Sequence, residues 1–86
     1  MDVERLSPVS RDLLEQALPG GQLVNVLYRD GARVDSGLER ERRCFALGER
    51  GWLSFLGWEG RPNSGPDCVS KWALTLEAQT LLAAAH

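Results

Sequence analysis

The residues of this chain that can do chemistry fall into two sets, one of charges and one of aromatics. The first is the run "ERERR", Glu39 to Arg43, in which Arg40, Arg42 and Arg43 can fork onto phosphate oxygens or onto the edge of a guanine. Arg33 lies just upstream, and Arg61, Asn63, Ser64 and Lys71 can add contacts to a nucleic-acid backbone or minor groove. Glu39 and Glu41 work against that reading. They repel phosphate, and Glu39 can pair with Arg42 or Arg43, as in a solvated helix face. In the second set, Trp58 and Trp72 can pack against each other across neighbouring strands, or stand exposed as anchors for a protein partner. Trp52 is expected in the core. Stacking of unpaired bases on these indoles is disfavoured, because too few basic residues surround them.

Catalysis is not expected. The single histidine, His86, is terminal. There is no glycine-rich phosphate loop, no Ser or Cys beside a candidate base, and no carboxylate pair at a recognisable spacing. Asp30 and Asp35 flank a turn and read as turn formers. Cys44 and Cys68 are too few for a disulfide scaffold or a four-ligand zinc site, so neither metal nor cofactor is expected. They read as one half-buried and one loop cysteine. The net charge of -2 gives no global attraction to nucleic acid, so any DNA contact must come from a local basic face. No apolar run reaches the ~18 residues of a membrane span. The opening "MDVERLSPVS" has neither the basic nor the apolar region of a secretory signal, so a cytoplasmic location is expected. At 86 residues, one small domain is expected, and a homodimer is a common way for such a chain to bury more surface.

These residues need elements to position them. In "SPVSRDLLEQALPGG", Ser7 caps and Pro8 opens a helix over 8–18, with Val9, Leu13, Leu14, Ala17 and Leu18 on its apolar face. Residues 22–35 are two-sided. Val24, Val26 and Tyr28 alternate as in a strand and Asp30-Gly31 signals a hairpin turn, yet Leu23, Val24 and Leu27 also fit a short helix. A helix over 37–48 follows, with a capping box from Ser36 and Glu39, an inner face of Leu38, Cys44, Phe45 and Leu47, and Gly48 or Gly51 at its end. The competing reading pairs "RCFAL" with "WLSFL" as a hairpin across "GERG". "WLSFLGW" reads as a strand with Trp52, Ser54, Leu56 and Trp58 on one side and Leu53, Phe55 and Gly57 on the other. After the polar loop "EGRPNSGPDC", "VSKWALT" reads as a second strand, with Ser70, Trp72 and Leu74 opposite Val69, Lys71, Ala73 and Thr75. Thr75 then caps a closing helix whose apolar face is Ala78, Leu81, Leu82 and Ala85.

Residues 36–86 resemble a winged helix-turn-helix domain. "CFALGERGWL" is similar to the family's exit from its third helix, with Cys44, Leu47, Glu49-Arg50, Gly51, Trp52 and Leu53 in the matching places. "WALTLEAQTLLAAA" is similar to the close of regulators of the multiple-antibiotic-resistance type, through Leu74-Thr75, Glu77 and Leu81-Leu82. Residues 22–35 depart from the family, which places a short second helix and a tight turn there. The resemblance implies an α+β fold with a C-terminal wing hairpin and a closing helix. It also implies a regulator, or a phage or plasmid accessory factor, that meets duplex DNA through helix 37–48 and wing 58–68, with Arg40, Arg42, Arg43, Arg61 and Lys71 as contacts. The alternative is a non-enzymatic interaction module, an inhibitor or adaptor of phage or plasmid type, that binds a protein through Trp58 and Trp72.

Overall fold

The computed structural model describes residues 1–61 and 67–85 of the chain. It is an α+β unit with three helices over one face of a four-stranded antiparallel sheet. A short 3-10 helix (Val3–Arg5) leads into α1 (Pro8–Ala17), then a hairpin of β1 (Gln22–Arg29) and β2 (Ala32–Arg33). Helix α2 (Asp35–Glu49) follows, then β3 (Leu53–Glu59), β4 (Cys68–Leu74) and α3 (Leu76–Ala84). The sheet order is β2-β1-β4-β3, so β3 is an edge strand.

Local chemistry accounts for most of these elements. Ser7 accepts from the Ser10 N–H at 3.2 Å, and Thr75 accepts from the Ala78 N–H at 3.1 Å. Each satisfies a backbone donor left free at a helix start. Residues 22–35 resolve as the hairpin: Asp30 (φ 53) and Gly31 (φ 81) both take the left-handed backbone of the tight turn that Asp-Gly favours. The stretch "LGERGWL" is a helix end and not a hairpin. Gly51 (φ 87) donates to the Gly48 carbonyl at 3.1 Å, and Trp52 donates to the Leu47 carbonyl at 3.0 Å. These are the paired bonds by which a left-handed glycine closes a helix. The chain then enters β3 at once.

Three local expectations are corrected. The Ser36–Glu39 capping box does not form. Val34 is held to β1 by its N–H on the Leu27 carbonyl, and α2 starts directly from that paired position without a side-chain cap. Val9 is 60% exposed, because it lies over the cleft toward Arg40 and not on the buried stripe of Leu13, Leu14 and Ala17. Both cysteines are buried, Cys68 because it begins β4 on the helix-covered face.

The core lies on one side of the sheet. Leu13, Leu14, Leu47, Trp52, Trp72, Leu74, Ala78 and Leu82 form one cluster. Trp52 is fully buried and Trp72 is 1% exposed; an indole of this kind hides about 150–250 Å². Gly37 lets α2 settle onto β1, since a Cβ there would run into the Val26 carbonyl oxygen. The other face of the sheet carries Val24, Val26, Val69, Lys71 and Ala73.

Candidate functional site

Helix α2 and edge strand β3 together position an aromatic cluster. Phe45 from α2 and Phe55 and Trp58 from β3 gather around the buried Trp72 of β4. Phe45 meets Trp72 edge-on with centroids 4.8 Å apart, and Phe55 meets Trp58 at 4.7 Å. Three of the rings stay open to solvent: Phe45 at 41%, Phe55 at 38% and Trp58 at 59%. Beside them a groove of about 350 Å³ runs between α2 and β3, lined by Phe45, Gly48, Glu49, Leu53, Phe55 and Trp72.

A bulge makes this cluster. Phe55 stands opposite Trp72 and Gly57 opposite Lys71, so Leu56 is an extra residue with no partner. Phe55 and Trp58 are three apart and would otherwise face opposite sides of the sheet. The alternation expected for "WLSFLGW" therefore fails: Leu53, Phe55 and Trp58 share the helix-covered side. The Trp58–Trp72 cross-strand pair is corrected too. Trp58 faces Ser70 and Trp72 faces Phe55, so the two indoles are linked through another group and not through each other.

That group is the carboxylate of Glu41. Its Oε1 accepts from Ser70 Oγ (2.6 Å), Trp72 Nε1 (3.2 Å) and Asn25 Nδ2 (3.3 Å), and its Oε2 accepts from Trp58 Nε1 (3.1 Å). Asn25 Nδ2 also lies 3.2 Å from Cys44 Sγ. Burial pushes the Cys44 thiol up from its ordinary value and the Glu41 charge adds to this, while the Asn25 hydrogen bond and the Arg40 and Arg43 charges pull the other way. A polar seam thus runs beneath the aromatic face and fixes the Trp58 ring from below. Asn25, Glu41 and Ser70 were not singled out from sequence. Their signal was positional: Asn25 alternates with Leu23 and Leu27, Ser70 with Cys68 and Trp72, and Glu41 lies on the stripe of Gly37, Cys44 and Gly48.

The basic residues do not form one surface. Arg40 and Arg43 line a cleft of about 180 Å³ against α1, with Asp12 and Glu39 on its wall. Arg42 and Arg43 line a second groove with Arg5 and Arg50. Arg43 Nη1 donates to Ser10 Oγ at 3.2 Å. The expected pairing of Glu39 with Arg42 or Arg43 is not made, and none of Arg40, Arg42, Arg43 and Arg50 forms an ion pair among the described residues. Lys71 is on the opposite face of the sheet, bound to Glu59 at 2.7 Å. Arg61 is exposed beyond the end of β3, and Asn63 and Ser64 lie outside the described residues. Among the described residues no group of three or more His, Cys, Asp or Glu side chains could hold a metal ion, and no helix is long and apolar enough to cross a membrane. No family model, no curated protein and no solved structure matches this chain.

Proposed function

We propose that the chain is a non-enzymatic interaction module that holds a short apolar segment of a partner protein against the groove between α2 and β3. One observation carries this reading: three aromatic rings, Phe45 of α2 and Phe55 and Trp58 of edge strand β3, each more than a third exposed, are in mutual contact, and Trp58 is braced from beneath by its hydrogen bond to Glu41. Rigid, half-exposed aromatics beside a groove are the usual anchors of protein interfaces. The unpaired outer edge of β3 adds backbone donors and acceptors for an extended segment. Selection from a random peptide library tests it. Wild-type protein is expected to enrich peptides with an apolar or aromatic anchor. A Phe55→Ala/Trp58→Ala variant that still melts cooperatively is expected to enrich none. Equal enrichment by both proteins would overturn the assignment.

A second reading is the winged-helix DNA-binding regulator. It is supported by the order of α2, the β3–β4 hairpin and α3, and by Arg40, Arg42 and Arg43 on α2, which form no ion pair among the described residues. Micromolar binding to a mixed-sequence duplex, falling steeply with salt and weakened by Arg42→Ala/Arg43→Ala, is its expected signature in fluorescence anisotropy. Absence of binding at low salt would remove it.

A further inference from the structure

Where the short 3-10 helix and α1 meet the outer side of α2, the molecule has an open groove of about 670 Å³. Its lining includes four arginines, Arg5, Arg42, Arg43 and Arg50, together with Ser7 and Ser10. Among the described residues, Glu39 is the one acidic residue of the lining. A chain of net charge -2 thus gathers a local excess of positive charge in one concave place. Arg5 meets Asp2 only at 3.9 Å, with both side chains more than half exposed, so that pair does little to neutralise it.

The arrangement follows from the helix repeat. Arg42 and Ala46 are four apart on one stripe of α2, Arg50 continues that spacing as the residue that caps the helix end, and Arg43 is seven residues from Arg50. The Ser10 hydroxyl accepts from Arg43 and so orders that side chain along the groove wall. Arg42 and Arg50 stand about 12 Å apart along the helix axis. That span suits two or more linked phosphates better than one, and planar guanidinium forks match phosphate oxygens two at a time.

We propose that this groove is a binding site for a ligand with linked phosphate groups, held by Arg5, Arg42, Arg43 and Arg50. The site is independent of the aromatic face, and it replaces a general basic surface by one defined groove. The phosphates can come from a free polyphosphate or from a nucleic-acid strand, and the test separates these sources.

The experiment is calorimetric titration of the full chain, at low and at physiological salt, with orthophosphate, tripolyphosphate and a short single-stranded oligonucleotide. Tripolyphosphate is expected to bind at least about tenfold more tightly than orthophosphate, and Arg42→Ala/Arg50→Ala to weaken it by about tenfold or more. Arg40→Ala removes a nearby charge that does not line the groove, and is expected to change binding less than about twofold. Oligonucleotide binding that tripolyphosphate displaces would identify a nucleic-acid backbone as the source. Tripolyphosphate binding without oligonucleotide binding would identify a free polyphosphate, and would drop the nucleic-acid reading while keeping the groove. No tripolyphosphate binding at low salt, or equal losses from Arg40→Ala and the double variant, would overturn the proposal.

Discussion

The two sides of α2 treat charge in opposite ways. On its inner side, the Glu41 carboxylate is buried and takes four hydrogen bonds, all from the uncharged groups of Asn25, Ser70, Trp58 and Trp72. On its outer side, Arg42 and Arg50 are exposed and form no ion pair among the described residues. Both sides are drawn from one stretch of alternating sign. Position on the helix, not composition, decides which charge is enclosed and which is left open. An enclosed charge without partners is costly, so the sheet supplies them. An exposed charge is solvated by water and can stay available for a ligand. The inner side should therefore govern stability and the outer side binding.

The sharpest way to break this contrast is Glu41→Gln. Glutamine keeps one acceptor oxygen and turns an NH₂ group toward donors. The loss is expected to be about 2–4 kcal/mol, a fall in Tm of roughly 10–20 °C for a domain of this size. Thermal unfolding followed by Trp fluorescence reads both the loss and the release of Trp58. A Tm within about 2 °C of wild type would show that the seam is not a stability element.

A smaller effect comes from Cys44. Its folded-state proton is held more tightly than in the unfolded chain, because burial penalises the thiolate. That contribution is complete below the ordinary thiol range, about pH 8.5, and is lost as pH rises through the raised folded value. Stability should fall above about pH 8.5 by up to ~1.4 kcal/mol per pH unit from this group. Cys44→Ala should flatten that slope in chemical-denaturation curves taken from pH 7 to 10. An unchanged slope would assign the decline to other groups.

The smallest expected effect sharpens the comparison from the other side. Arg42→Ala/Arg50→Ala should change stability by no more than about 0.5 kcal/mol per site, because both residues are exposed and neither forms an ion pair among the described residues. A large loss in urea unfolding would mean that the outer arginines brace α1 against α2 instead of waiting for a ligand.

Much of the scaffold was legible in the sequence, because its signals are local. Ser7-Pro8, Asp30-Gly31, Gly51 and Thr75 act within a few residues of themselves, and each appears in the structure doing what its chemistry implies. The alternation of Ser70, Trp72 and Leu74 was equally plain, since β4 is regular along those residues. The site was less legible. The bulge at Leu56 shifts the strand's period by one residue, and nothing in "WLSFLGW" marks which residue is extra. Glu41 sits in a run that reads as solvated, while the inner stripe that claims it is marked by Gly37 and Cys44, which are weak apolar signals. Arg5 joins Arg42 and Arg50 only once the N-terminal segment is folded back against α2.

The extra residue in β3 also bears on the hazard of displaying aromatic rings on an open sheet edge. An uninterrupted edge of this composition would be a template for stacking one copy on the next, strand after strand. With Leu56 unpaired and Gly57 at φ 129, the register of the ladder shifts by one residue between Phe55 and Gly57. A long strand added along this edge would have to follow that shift, whereas a short segment anchored by one side chain need not cross it. The irregularity that hides the facing of side chains in "WLSFLGW" thus also breaks the flatness that a template for strand addition needs.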